Sequence, residues 1–135
     1  MLYKINFVFK KIINLYIKTY IMKNNLSYIL KIIFFVYLII IMFLSFMPVE
    51  NIGSSSDKIN HIAAFIVFAL LFKFSYSRRK IIFVFLSGLS FGIFIELVQY
   101  FLPYRSCDFF DVLADLCGLV IGYGMVVTLS IIKQR

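Results

Sequence analysis

Residues 81–102 read IIFVFLSGLSFGIFIELVQYFL, and they are followed by Pro103. Glu96 is the single formally charged residue in this stretch. An α-helix needs about 20 apolar residues to cross the hydrocarbon core of a bilayer, and the stretch meets that length. A β-barrel would instead show shorter strands in which apolar and polar residues alternate. The stretch therefore predicts a membrane-spanning helix.

Three further apolar runs have the same character. The chain of 135 residues is 63% hydrophobic and 15% charged, which leaves too little polar surface to cover a water-soluble core. The connections between the runs are short and polar, as expected of antiparallel neighbours in one compact bundle. We therefore predict an all-α fold, a transmembrane bundle of four helices without a soluble domain. The predicted spans cover about residues 26–47, 59–76, 81–102 and 112–132.

The first 25 residues form a basic segment ahead of these spans. Lys4, Lys11 and Lys18 recur every seven residues among Ile, Phe, Leu and Tyr. This pattern predicts an amphipathic helix on an anionic membrane surface, and a lysine-rich leader to the first span is the alternative. The segment lacks the compact apolar region and the small-residue cleavage site of a secretory signal peptide. We divide the chain into an N-terminal segment, 1–25, and a transmembrane domain, 26–135.

The charges predict an orientation in the membrane. The net charge is +8, and the cations flank apolar runs, which favours contact with membrane lipids over nucleic acid. Twelve of the fourteen Lys and Arg residues fall on one side of the predicted topology. The positive-inside rule makes that side cytoplasmic, so both chain termini are predicted to be cytoplasmic. All six carboxylate side chains fall in the opposite, outer half of the protein.

Polar residues at the outer helix ends are predicted to converge. In the third and fourth spans, glycines and polar residues share one helix face at spacings of three and four. Small residues four positions apart let helix backbones approach, so these faces point toward neighbouring helices. An ionisable group at mid-membrane costs about 2.5–3.5 kcal/mol on insertion scales, so such groups need polar partners. The predicted helix-packing glycines are Gly88, Gly92, Gly118 and Gly122. The predicted polar cluster consists of Asp57, Lys58, His61, Glu96, Gln99, Arg105, Asp108, Asp111 and Asp115.

Three roles are open for this polar cluster. Its side chains could pair with one another and only lock the helix ends. They could bind a ligand, because a guanidinium such as that of Arg105 donates two parallel hydrogen bonds to a phosphate or carboxylate; an ion pair from Arg105 to Asp108 or Asp111 is the structural alternative. His61 and Glu96 are the catalytic candidates for general acid–base chemistry on a lipid-linked substrate.

Metal and thiol chemistry are not predicted. Convergent carboxylates with one imidazole suit a divalent cation, but the chain has no HExxH motif and no clustered Cys or His residues. We therefore predict no metal site and no cofactor. Cys107 falls in the outer loop and Cys117 about two helical turns deeper. We expect no disulfide between them and expect both to act as small apolar packing residues.

Four short motifs occur in order at the predicted helix ends. They are Asp57-Lys58-x-x-His61 with Phe65, Glu96-x-x-Gln99, Pro103-x-Arg105-x-x-Asp108-x-x-Asp111, and Gly118-x-x-x-Gly122. The combination resembles the VanZ-like family. Two positions differ from the family pattern, since Tyr104 stands for a glycine and Asp115 for an asparagine. The resemblance implies a bacterial multi-pass protein of the cell membrane, associated with lowered sensitivity to the glycopeptide antibiotic teicoplanin.

These observations lead to one functional expectation and one alternative. We expect a cell-envelope protein that lowers sensitivity to glycopeptides and whose extracytoplasmic polar site binds a lipid or cell-wall precursor headgroup. Its expected partners are membrane lipids and a lipid-linked cell-wall precursor or a glycopeptide. The alternative is a membrane enzyme that acts on a lipid-linked envelope substrate through His61 and Glu96. A transporter is a weaker option, because the predicted cytoplasmic half of the bundle has few polar residues.

Overall fold

Four α-helices form the protein, as predicted. The structure, a computed structural model, describes the backbone of residues 2–48, 54–105 and 107–134, with the side chains of Asn14, Met22, 25–48, 57–105 and 107–132. In these ranges the helices are α1 (Leu2–Phe46), α2 (Ser54–Ser75), α3 (Ile81–Tyr100) and α4 (Phe109–Gln134), without a strand. Each helix contains a segment long and apolar enough to cross a membrane. These segments are Asn25–Phe46, Asp57–Ser75, Ile81–Tyr100 and Phe109–Ile132.

Helix α1 joins the basic N-terminal segment to the first span without a break. Its 45 residues correspond to a length of about 68 Å at the usual helical rise, roughly twice the thickness of a hydrocarbon core. The sequence left two interpretations open for residues 1–25, an interfacial helix or a leader to the first span, and the structure continues one helix from Leu2 to Phe46. The side chains of Lys4, Lys11 and Lys18 lie outside the described part, so the membrane-surface role of residues 1–25 stays a prediction.

An aromatic core attaches α1 to α2. Phe65, Phe68 and Phe72 follow at helical spacing along one face of α2, and all three are buried. Phe34 of α1 meets two of these rings edge-on, with centroids 5.3 Å from Phe68 and 5.7 Å from Phe72. Edge-to-face pairs contribute about 0.5–1.5 kcal/mol beyond the area they bury. This contact attaches α1 to the C-terminal half of α2.

Helix α4 packs most extensively on α2. A Cβ atom at Gly118 would lie only 2.5 Å from the backbone oxygen of Ile62, so the two backbones could not approach as they do with a larger residue. Gly122 faces α2 one turn further on, and Gly88 of α3 faces Leu119 of α4. Helix α1 is more peripheral: 6% of its most apolar window is buried, compared with 28% in each other span.

Charges are separated along the bundle. Every carboxylate in the described part lies where the C-terminal ends of α1 and α3 meet the N-terminal ends of α2 and α4. At the opposite end, the Lys73 ammonium donates to the carbonyls of Ser77, at 3.0 Å, and Arg79, at 2.8 Å, and so closes the α2–α3 turn. Which end faces the cytoplasm stays a prediction, and Glu50 and the terminal cations lie outside the described side chains.

Candidate functional site

His61 is the centre of the polar cluster and connects three helices. It extends from α2, and its Nδ1 lies 2.8 Å from the Asp115 Oδ1 of α4. Its Nε2 lies 3.9 Å from the Glu96 Oε1 of α3. All three side chains are buried, with relative exposures of 8% for His61, 4% for Glu96 and 0% for Asp115. Three residues from separate parts of the sequence therefore meet in one interior position.

Gly92 makes room for this arrangement. A Cβ atom at Gly92 would overlap the Oδ2 atom of Asp115, so any larger residue in α3 would displace that carboxylate. The spacing of Gly92 and Glu96, one turn apart, puts the gap and the acid on the same face of α3. This position explains why glycine and polar residues share that face of α3.

Lys58 pairs with the acids at the beginning of α4. Its Nζ lies 2.7 Å from Asp108 Oδ2 and 3.5 Å from Asp111 Oδ1. Asp108 is also the N-cap of α4, because its Oδ1 accepts the backbone N–H of Phe110 at 2.9 Å and satisfies one of the free donors at a helix start. The hydrogen bond from Lys58 lowers the pKa of Asp108 below its usual value. The Asp108 N–H in turn donates to Glu96 Oε2 at 3.1 Å, so this loop is tied to α3.

Arg105 holds the C-terminal end of α1. Its Nε and Nη2 both donate to the Ser45 carbonyl, at 3.1 and 2.9 Å, and the Gln99 amide donates to the same oxygen at 3.0 Å. The last carbonyls of a helix lack intrahelical donors and carry partial negative charge, which suits a guanidinium. Tyr104 adds a hydrogen bond from its hydroxyl to the Phe46 carbonyl at 3.0 Å.

The expected ion pair of Arg105 with Asp108 or Asp111 is wrong. The structure places Lys58 beside those two acids, and among the described side chains the acid that pairs with Arg105 is Asp57, at 3.8 Å from Nη1. The loop turns the guanidinium toward α1, away from the beginning of α4. All nine predicted cluster residues nevertheless lie at this one end of the bundle. The contacts above join them in two groups: Lys58, His61, Glu96, Asp108, Asp111 and Asp115 in one, and Asp57, Gln99 and Arg105 in the other.

A cavity of about 520 Å³ opens beside the cluster, between α1, α2 and α3. Its inner wall is apolar and includes Ile41, Ala63 and Ile95, whereas its other end carries polar side chains. The polar residues that line it are Ser45, Asp57, Asn60, His61, Gln99 and Arg105. Lys58, Glu96, Asp108, Asp111 and Asp115 do not line it and lie behind or beside this polar end.

Sequence reasoning missed three contributors to the cavity. The Tyr37 hydroxyl donates to the Ala64 carbonyl and so fixes α1 against α2 along the wall. Asn60 is one turn from Asp57 on α2, and helical spacing could have placed it in the cluster. Ser45 contributes through its backbone carbonyl, and any residue at this position would have that carbonyl, so the sequence does not indicate it.

We expected the two cysteines to act as small packing residues, and this expectation is wrong. Cys107 and Cys117 are both unpaired and both exposed. Partial desolvation, followed by the charge of the nearby Glu96 carboxylate, raises the pKa of the Cys107 thiol. Because Cys117 lies in a membrane-spanning segment, its exposed side chain faces the lipid side of α4.

One set of side chains has the composition of a metal site. Ligand atoms of Asp57, His61 and Asp111 all lie within 4.8 Å of one another. The three residues belong to two helices, and the spacing of His and Cys in the sequence does not reveal them. A set of one imidazole and two carboxylates suits a divalent cation.

The fold and the cluster define a four-helix membrane protein with a buried, charged site at one end. Residues 2–132 match the VanZ/LLP1 family, and the chain belongs to that family. The resemblance first noted between Asp57 and Gly122 is thereby confirmed and extends over nearly the whole chain.

A curated relative comes from a eukaryote. An uncharacterized protein of Schizosaccharomyces pombe is 38% identical over 90 residues, which cover 64% of this chain and 55% of that protein. The chain thus spans about half the length of this relative. No solved structure matches the chain. The bacterial origin inferred from the sequence stays a prediction.

Proposed function

We propose that this chain is a cell-envelope membrane protein that holds the headgroup end of a lipid, or of a lipid-linked cell-wall precursor, in the cavity between α1, α2 and α3. In this proposal the polar end of the cavity faces the extracytoplasmic side of a bacterial membrane. Occupation of the cavity changes the access of glycopeptides such as teicoplanin to their target and lowers sensitivity to them.

The division of the cavity into an apolar wall and a polar end carries the proposal. Its volume of about 520 Å³ falls within the range of about 300–1,000 Å³ that is typical of small-molecule sites. A membrane lipid has the same division, with an apolar chain joined to a polar headgroup. The apolar wall formed by Ile41, Ala63 and Val67 continues into the membrane-spanning part of the helices, where a chain would lie.

The charges of the polar end favour a headgroup that brings its own hydrogen-bond donors. Arg105 offers Nη1 toward the cavity end, 3.8 Å from the Asp57 carboxylate, and a phosphate oxygen suits a guanidinium. The surrounding acids would repel a bare anion. A headgroup that combines a phosphate with hydroxyl, amide or amine groups suits both the Arg105 guanidinium and the surrounding carboxylates. Such groups occur in phospholipid and lipid-linked sugar headgroups.

Filling the cavity tests the proposal. Ala63→Leu enlarges a side chain of the wall, and Gly124→Leu is its matched control, because a Cβ at Gly124 meets nothing within 4 Å. We expect Ala63→Leu to lose the lipid that co-purifies with the wild type, measured by native mass spectrometry, and to lose teicoplanin tolerance in an expressing bacterium. Gly124→Leu should retain both. Equal lipid content in the two variants would contradict the proposal.

Two substitutions in the cluster separate binding from a purely structural role. His61→Ala and Glu96→Gln should each abolish teicoplanin tolerance while membrane levels of the protein stay normal. If tolerance survives both changes, the cluster only locks the helix ends. Turnover of a lipid-linked substrate by the purified wild type, lost in both variants, would instead assign the site to the enzymatic alternative.

A further inference from the structure

We propose that the cluster holds a divalent transition-metal cation between Asp57, His61 and Asp111. Two of these residues, Asp57 and His61, also line the polar end of the cavity. The proposal nevertheless goes beyond the proposed function, and it is tested by metal binding alone, without a lipid-linked ligand. It differs from the expectation drawn from the sequence, in which no metal site was predicted.

The geometry of the three ligands suits one ion. Their ligand atoms lie within 4.8 Å of one another. In a tetrahedral site with bonds of about 2.1 Å, ligand atoms are roughly 3.4 Å apart, so a small inward movement of the side chains closes the site. His61 and Asp111 are buried, whereas Asp57 is partly exposed, which leaves one side open for a water molecule or a substrate oxygen.

The orientation of His61 is that of a metal ligand. Its Nδ1 lies 2.8 Å from the fully buried Asp115 carboxylate. Histidines that bind metals usually donate one ring nitrogen to a carboxylate, which fixes the ring and directs the other nitrogen to the ion. Here Nδ1 is held by Asp115, and the other ring nitrogen, Nε2, lies 3.9 Å from Glu96 Oε1.

Two buried oxygen atoms supply a second, independent observation. Glu96 Oε1 and Asp111 Oδ1 are inaccessible and accept no hydrogen bond from the described part of the chain, in residues that are only 4% and 3% exposed. Asp111 Oδ1 has the Lys58 ammonium 3.5 Å away as an ion-pair partner. Glu96 Oε1 points at His61 Nε2 from 3.9 Å. Buried acceptors without a donor are costly. A cation bound by Asp111 would satisfy its Oδ1 atom directly and would place positive charge near the Glu96 carboxylate, which lies beside the ligand His61.

The charge balance points the same way. Five carboxylates of the described chain gather at this end, and only two permanent cations, Lys58 and Arg105, accompany them. Buried charges are normally paired or bound to metals. A divalent cation would neutralise most of the remaining negative charge.

The ligands select the class of ion. An imidazole nitrogen with carboxylate oxygens suits Zn²⁺ or Mn²⁺, whereas Mg²⁺ and Ca²⁺ prefer oxygen ligands alone. We therefore expect Zn²⁺ and Mn²⁺ to bind and Mg²⁺ at equal concentration not to displace them.

Substitution of Lys58 tests whether a metal ion binds here, because the proposal predicts an increase in metal affinity. Its ammonium lies 3.5 Å from Asp111 Oδ1 and therefore competes with a cation for the same carboxylate. Lys58→Met removes this competing charge, so the metal should bind about tenfold more tightly or better. If Lys58 and Asp111 formed only a structural pair, the substitution would create no affinity for a metal.

The experiment uses the full-length chain in lipid nanodiscs, with the affinity tag removed and both cysteines replaced by serine to exclude thiol ligands. Zn²⁺ and Mn²⁺ are added alone, without a lipid-linked ligand, and bound metal is counted by mass spectrometry after equilibrium dialysis. We expect one ion per chain in the wild type, its loss in His61→Ala, and its retention in Asn60→Ala, the matched control from the same helix. Substoichiometric binding in the wild type, or equal binding in His61→Ala, would overturn the proposal.

A spectroscopic measurement on the unaltered site covers the case in which His61→Ala fails to fold. Electron spin echo envelope modulation of bound Mn²⁺ detects a coordinated imidazole, because the electron spin of the ion couples to the ¹⁴N nucleus of the ring. We expect that coupling in the same cysteine-free chain and in Lys58→Met. Bound Mn²⁺ without ¹⁴N coupling would refute the assignment to His61, whatever the stability of the variants.

Discussion

Asp115 connects the chemistry of the cluster to the packing of the bundle. Its carboxylate is fully buried, contacts His61 at 2.8 Å through Oδ1, and fits against α3 only because residue 92 is a glycine. The resemblance noted from the sequence leads us to expect an asparagine at this position in other family members. An amide oxygen can accept the same hydrogen bond from His61, so the family's residue and this chain's aspartate can orient the imidazole alike.

Substitutions at Asp115 should separate the hydrogen bond from the charge. Asp115→Ala leaves His61 Nδ1 without a partner in a buried position, which costs about 1–3 kcal/mol, so its melting temperature should fall clearly. Asp115→Asn keeps a partner and should melt closer to the wild type. Thermal unfolding of the purified proteins in detergent measures both. An alanine variant as stable as the wild type would show that this contact does not stabilise the fold.

Residue by residue, helical spacing predicted part of this site and missed part. It placed Glu96 and Asp115 on inward faces because each shares a face with glycines, and the structure brings both to His61. It gave no partner for Arg105, and the structural alternative, an ion pair with Asp108 or Asp111, is wrong. A loop side chain has no periodicity to direct it, and the acceptor at Ser45 is a backbone oxygen, which the identity of the residue does not reveal.

At the level of the helices, the α3–α4 loop fastens the end of α1. Three donors converge on the Ser45 carbonyl, and the Tyr104 hydroxyl occupies the Phe46 carbonyl. These bonds satisfy carbonyls that would otherwise lack donors at a helix C-terminus. The most peripheral helix is thereby held in the position that closes one wall of the cavity.

Close packing of α2 on α4 gives a prediction at the same level. Gly118→Ala would bring a methyl group to 2.5 Å from the Ile62 carbonyl oxygen and 2.9 Å from Phe65 Cβ. Backbone atoms cannot move aside easily, so we expect a loss of about 1–3 kcal/mol in stability, as for other overpacked positions. The control Gly124→Ala meets open space and should be neutral or stabilising by up to about 1 kcal/mol. Equal melting temperatures for the two variants would contradict this packing.

The helices themselves were largely predictable. Runs of apolar residues ending near Pro48 and Pro103 gave the class and the number of helices, because length and hydropathy dominate in a membrane. The continuity of α1 was the exception. A repeat of lysines indicates an amphipathic face but does not mark a break, and residues 1–47 contain neither glycine nor proline, the residues that most readily interrupt a helix.

For the whole molecule, the cavity could not be inferred from the sequence. It depends on how far α1 stands from α2 and α3, which is set by the Tyr37 hydroxyl bond and the Phe34 contact. Each span alone would show the same apolar pattern if the helices packed more tightly. The separation of charge was visible in the sequence because the connections alternate between the two ends of the bundle.

The central claim is that the charged cluster lies at the extracytoplasmic face. Cys107 tests it most directly, because this exposed thiol lies in the loop that carries the cluster and outside the spans. The raised pKa of the thiol reduces its thiolate fraction at neutral pH, and the thiolate is the reactive form. Labelling should therefore accelerate as the pH increases, so the reaction is run at about pH 8.5.

The measurement is the labelling of intact expressing cells with a membrane-impermeant maleimide. In a Cys117→Ser background we predict that Cys107 is labelled without lysis, and that a permeant maleimide gives no further labelling. The Cys107→Ser variant in the same background is the control and should remain unlabelled. Labelling of Cys107 only after the membrane is opened would place the cluster on the cytoplasmic side and contradict the account.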